Sequence, residues 1–392
     1  MNSSENKPHV INNILVVNLK LLKLVGLWQG NISTQKDSWT IKLYTIYRWA
    51  LLFIMCLHTA TEYLDIVFTW GDLENLAANG SVTLIYTACI MKQTVFLLYE
   101  KHLQHLVQTL QSGYLATSLR WTKDHYKILH DADRRAHAAS WRYYYLVIAT
   151  IIAFFTTAIL TSYGTAFGLE GFRQGNQTVK TLVFKAWFPF DIQQSGYFEI
   201  AFCFQIISCT MGPAINSGMD TFLVSVIINC CGEFKVLKYS LRTIKERAGE
   251  LLTLEECSTL GNSSAHEEFE SEENVRREKT GLSTVLFFQF FSSTCTICLI
   301  LFYLALNLDA DGIMNQLSFC GLMAIALTQL LLFCWYGNDL TYEVTDFITL
   351  HNLVGGDVIN FRKYLKYDCC HLKCTSCYLK QECCYRKSLI MM

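Results

Sequence analysis

Proline is nearly absent, with three residues in 392, too few for a proline-rich linker or a collagen-like rod. Charge is scarce as well. Asp, Glu, Lys and Arg make up 17% of the chain, whereas a soluble protein of this size carries nearer a quarter. The charge that remains cancels: 33 acids face 32 bases, for a net charge of −1. A nucleic-acid binder needs a basic excess to meet the phosphates, so that class is disfavoured. No G-x-G-x-x-G, P-loop or G-x-S-x-G stands between a strand and a helix, so neither an enzyme nor a cofactor is expected. What the chain does have is apolar residues, at 52%, including 25 Phe and 20 Tyr. Long disorder is excluded by that content. Six apolar stretches of ~20 residues would fill roughly a third of such a chain, each long enough to cross a bilayer.

Six such stretches can be read off: Ile41–Ile66, Ser81–Tyr99, Tyr143–Tyr163, Tyr197–Cys231, Leu282–Leu306 and Ile313–Tyr336. The third is the cleanest, free of charge and bounded by Tyr, as interfacial aromatics prefer. The fourth exceeds one bilayer thickness and must tilt or project into water. Backbone groups in hydrocarbon have no water to bond, so each span should be an α-helix. The expected fold is an all-α polytopic membrane protein, a transmembrane helix bundle over residues 41–343. Residues 1–40 form an N-terminal segment whose run Ile11–Val25 is apolar but holds Asn12, Asn13, Asn18, Lys20 and Lys23. That run reads as a short amphipathic helix on the inner leaflet or as a re-entrant, packed helix.

Lys and Arg fix the expected orientation. Residues 1–40, the loops 100–140 and 232–280, and the tail carry 25 of them, against three on the alternate connections. The positive-inside rule puts the amino terminus, both long loops and the tail in the cytosol. Asn176-Gln177-Thr178, an N-glycosylation acceptor, then falls on an external loop. No external segment contains Cys, so no extracellular disulfide is available.

Few residues suggest chemistry. Lys92 lies inside the second span, where an ionisable group costs ~3 kcal/mol on insertion scales and should face a cavity or a partner acid. Asp220 in the fourth span is the natural partner, as a structural ion pair or beside a ligand. His102, His105, His125, His130 and His137 crowd one cytosolic loop. They lack a metal-binding pattern and read as a solvated helical extension of the third span. Residues 249–277 are Glu-rich and read as a flexible loop without the spacing of a calcium site. The tail holds Cys369, Cys370, Cys374, Cys377, Cys383 and Cys384. One C-x-x-C with His371 beside it leaves zinc, acylation or no specific role open.

Phe333–Glu343, FCWYGNDLTYE, closes the sixth span, and Ala186–Asp191, AWFPFD, precedes the fourth. With the inward amino terminus and the long second cytosolic loop, the chain resembles an insect odorant receptor over roughly residues 10–343. The resemblance implies a seven-helix subunit of a tetrameric, ligand-gated cation channel in the plasma membrane of an olfactory sensory neuron. It implies a shared co-receptor as partner and a small hydrophobic odorant as ligand. It further implies a pocket in the outer half of the bundle, where Leu84, Tyr86, Phe155, Ile159, Tyr163, Phe198, Phe202, Ile206, Phe319 and Met323 are available. The family pattern is expected to stop near Val344. Residues 344–392 hold no window of ~20 apolar residues, so the seventh, pore-lining span is missing from them. That stretch reads as a Cys-rich cytosolic tail derived from a retained intron or alternative splicing, which would make this form non-conducting. Rival readings are a gustatory receptor and, in a different class, a secondary transporter. Met211-Gly212-Pro213 is the one break of the kind transporters carry in pairs.

Overall fold

The structure is a computed structural model that describes residues 15–29, 38–112, 123–163, 180–194, 196–243, 272–307 and 313–361. Asn176, the tail cysteines with His371, and most of the Glu-rich loop lie outside the described residues. Those residues form α1 (Val16–Leu24), α2 (Ser38–Phe68), α3 (Leu73–Leu98), α4 (Glu100–Ser112), α5 (Lys123–Tyr163), α6 (Tyr197–Arg242), α7 (Glu272–Leu306) and α8 (Ile313–Phe361). There is no strand among them. Six of the helices, α2, α3 and α5 to α8, are long and apolar enough to cross a membrane.

The bundle is built inside out relative to a soluble one. On α2 the outward stripe is Leu43, Ile46, Phe53 and Leu57, all well exposed, while His58 and Glu62 are fully buried. Spacings of three, four and seven place that stripe on one helical face. On α6, Ile200 and Ile207 face out, while Gln205, Asp220, Thr221, Ser225 and Asn229 face in. Lipid is as apolar as Leu, so outward aliphatics cost nothing there, and the polar side chains must find partners inside.

α6 is the central helix, touching α1, α2, α3, α4, α5 and α8. Small residues let α5 approach it: Ala132, Ala136 and Ala139 pack against Val224 and Ile228. A β-carbon at Gly232 would lie only 2.8 Å from that of Ala132. Asp72 caps α3 by accepting from the N–H groups of Glu74 and Asn75 at 3.1 and 3.2 Å, which satisfies donors the helix leaves free.

The helices outrun the apolar stretches. α3 begins eight residues before Ser81, α5 20 residues before Tyr143, and α6 ends at Arg242 rather than Cys231. Hydropathy marks only the lipid-facing part, and amphipathic ends continue the same helix. α1 is a packed helix that rests against α6. Its Leu22 and Asn18 are buried, and Asn18 donates to Ser225 Oγ at 2.6 Å and accepts from Tyr144 Oη at 2.9 Å. The turn after it needs Gly26, at φ +78°. Tyr44 and Tyr47 of α2 donate their hydroxyls to the carbonyls that end it, at Lys23 and Leu24. α8 runs unbroken through Val344, where the sequence suggested a change of character. Val344 and Phe347 are buried, Phe347 meets Phe234 of α6 at 5.7 Å, and Lys238 bridges Glu343 and Asp346.

Candidate ligand-binding cavity

Five helices, α3 and α5 to α8, enclose a cavity of about 80 Å³ at mid-bundle. One water needs ~10–15 Å³ by the same measure, so the space suits a small organic molecule. Its lining carries no charged side chain.

One end is aromatic. Phe154 of α5 meets Phe184 edge-on at 5.0 Å and Phe319 of α8 at 5.6 Å, and Phe319 meets Tyr303 of α7 at 4.4 Å. Phe184 belongs to residues 180–194, an irregular segment tied down by buried Gln205. That amide accepts from Phe184 N–H at 3.1 Å and donates to the Phe184 carbonyl at 2.7 Å. This two-point clamp seats an aromatic ring at the cavity end.

The α3–α6 wall depends on a missing side chain. Gly212 lets the Tyr86 ring lie against α6, because a β-carbon there would run into that ring. Tyr86 donates to the Ser208 carbonyl at 3.4 Å, and Cys89 Sγ lies 3.7 Å from the Gly212 carbonyl. Pro213 follows; it has no N–H and deprives the Cys209 carbonyl of its helical partner. Behind Tyr86, His58 packs edge-on at 4.6 Å and pairs with Glu62 at 3.2 Å.

Beyond the opposite end lies the intramembrane charge pair. Lys92 Nζ is 2.8 Å from Asp220 Oδ1, and Gln329 Nε2 donates to Asp220 Oδ2 at 2.5 Å. Three helices are joined at one carboxylate. Gln329 also lines the cavity, so the pair and the cavity share a residue.

Of the ten residues suggested by the sequence, Tyr86 and Phe155 line this cavity. Phe319 and Met323 sit behind its aromatic end, in the cluster around Phe154. Leu84 is not part of the lining, and its carbonyl accepts from Ser292 Oγ at 3.2 Å. Phe198 and Phe202 stack on each other at 5.5 Å outside the lining, with Lys180 over the Phe198 ring. Ile159 and Ile206 face outward, where lipid is a sufficient partner for an aliphatic chain. Tyr163 ends α5, and its side chain lies outside the described residues. Sequence reading missed Phe184, Tyr143, Asn216, Gln289, Thr296 and Gln329. The amides could have been found, since an amide inside an apolar span must point at protein.

The loop histidines are dispersed. His125 shares a 3.0 Å hydrogen bond with Ser240, and His137 lies 3.5 Å from Asp133. Among the described residues no three His, Cys, Asp or Glu are placed to hold a metal.

A family model described as 7tm odorant receptor matches residues 72–349. The odorant receptor coreceptor of Aedes aegypti is 21% identical over 263 residues, which cover 64% of this chain and 52% of that protein. The coreceptor of Drosophila melanogaster is 21% identical over 249 residues, 61% of this chain and 48% of that protein. The chain thus spans about half the length of these two relatives. Odorant receptor Or1 of Anopheles gambiae is 23% identical over 388 residues, with 89% of this chain and 82% of that protein covered. The fold matches the insect olfactory receptor OR5 of Machilis hrabei in complex with eugenol, with a TM-score of 0.65 at 12% identity over 85% of this chain and 81% of that one. The helical architecture, the six apolar helices and a family match over most of the chain agree: this multi-pass membrane protein belongs to the insect odorant receptor family, a family of receptors and not of enzymes.

Proposed function

We propose that the chain is the odorant-binding subunit of a ligand-gated cation channel that works with a shared co-receptor in the plasma membrane of an olfactory sensory neuron. The observation that carries the reading is the uncharged, mostly apolar cavity between five helices, aromatic at the end clamped through Gln205. Burial of an odorant there gains ~25 cal/mol per Å² of apolar surface. The related fold of OR5, a receptor solved with eugenol, supports a small volatile ligand. Lys and Arg asymmetry supports a cytosolic amino terminus.

Ligand binding opens the channel only if the open form binds more tightly than the closed one. The residues placed to sense that difference are those joined at Asp220, because α3, α6 and α8 each contribute to the cavity wall and to that junction.

The test is odorant-evoked cation current in cells expressing this chain with and without co-receptor. Current that requires both proteins supports the proposal. Odorant uptake by the purified chain without current supports a transporter instead and overturns it.

A further inference from the structure

The cavity wall holds four buried polar atoms with no hydrogen-bond partner: Tyr143 Oη, Asn216 Oδ1, Gln289 Oε1 and Thr296 Oγ1. Their residues are between 0% and 9% exposed, and they come from α5, α6 and α7. A buried unpaired polar group costs ~1–3 kcal/mol, so four on one wall is an arrangement that a complementary ligand repays.

They are not scattered evenly. Tyr143 adjoins Tyr144, whose hydroxyl meets Thr221 Oγ1 at 2.5 Å, one residue from Asp220. Gln289 adjoins Phe290, which meets Phe333 at 6.4 Å, one turn beyond Gln329. Asn216 is one turn before Asp220 on α6. Three of the four atoms therefore gather at the end nearest the Lys92–Asp220 pair, with Thr296 two turns along α7. Phe154 is 11 residues from Tyr143 on α5, about 16 Å along the axis, and with Phe184 it makes the opposite end apolar. The cavity is amphiphilic along its length.

We propose that it selects a small neutral alcohol or phenol over a hydrocarbon or an acceptor-only ether of the same shape. The ligand hydroxyl lies among Tyr143, Asn216 and Gln289, and its hydrocarbon body lies against Phe154, Phe155 and Phe184. A hydroxyl both donates and accepts, so it meets an amide oxygen and a tyrosine hydroxyl together. An ether can only accept and leaves both amide oxygens bare. The lack of any charged lining residue disfavours carboxylic acids and amines, because an ion moved there would have no counter-charge. This inference rests on the cavity being the odorant site.

The test uses the purified full chain in lipid nanodiscs with three matched probes: 2-phenylethanol, benzyl methyl ether and propylbenzene. Affinity is read from the ligand-dependent shift in unfolding temperature. The alcohol should bind about tenfold or more tightly than either analogue, the worth of one or two added hydrogen bonds. In Asn216→Leu and Gln289→Leu that preference should shrink to about threefold or less, with a monodisperse nanodisc profile as the sign of an intact fold. Equal or tighter binding of propylbenzene or the ether by the unaltered chain overturns the selectivity and leaves the odorant site standing. That result requires no variant to fold. Failure of all three probes to bind removes the site itself and the inference with it.

Discussion

Two levels of the bundle use the same residue types for opposite ends. At the Asp220 level one group of polar side chains is paired: Lys92 and Gln329 share the carboxylate, and Asn18, Tyr144, Thr221 and Ser225 bond one another across α1, α5 and α6. One or two turns away, Tyr143, Asn216, Gln289 and Thr296 present polar atoms with no partner. The first level holds helices together. The second is left incomplete at a cavity. Polar residues inside a membrane bundle are structure or site according to whether their partners are already in the protein.

Substitutions should separate the two levels. The largest effect is expected from Lys92→Met, which strands Asp220 in the bundle; losing one partner of a buried pair costs ~3–5 kcal/mol. It should be seen as loss of monodisperse protein or a steep fall in unfolding temperature. Adding Asp220→Leu should recover most of the loss, and a double variant as unstable as the single one would show the pair is not the cause. Gly212→Ala comes next: the new methyl displaces Tyr86, an overpacking cost of ~1–3 kcal/mol. Because Tyr86 lines the cavity, ligand affinity should fall with stability, and affinity unchanged at reduced stability would place Tyr86 outside the site. Asn18→Leu should cost ~1–2 kcal/mol through the hydrogen bonds lost to Tyr144 and Ser225, which keep Thr221 and Ser140 as their remaining partners. Thr296→Val, on the incomplete wall, should change stability by less than ~0.5 kcal/mol or raise it slightly, since no hydrogen bond is lost. A cost like that of Asn18→Leu would erase the distinction between the levels.

The helical architecture was legible in the sequence because lipid leaves the backbone so few choices. Lys92 and Asp220 were legible as partners because two ionisable groups in apolar spans have few alternatives. The cavity was not. Leu84, Ile159 and Ile206 were chosen for being apolar and at the right depth, yet apolarity in a membrane helix points to lipid as readily as to a core. The choice between them depends on helix rotation, which distant contacts set. Asn216, Gln289 and Gln329 carried the better signal, since an amide at that depth has to face inward. The boundary at Val344 was drawn where apolar residues run out, but Val344 and Phe347 still pack on α6, and the family match ends at residue 349. The odorant receptor family match decides against the gustatory receptor reading, and the uptake experiment addresses the transporter.

The most direct check on the cavity as the ligand site is a pair of phenylalanine substitutions read by 2-phenylethanol binding. Ala326→Phe places a ring inside the lining, and Ile159→Phe places one on the outward face of α5. Binding should be lost in Ala326→Phe and kept in Ile159→Phe, with both variants monodisperse in nanodiscs. Undiminished binding in Ala326→Phe, or loss confined to Ile159→Phe, would put the odorant elsewhere on the molecule.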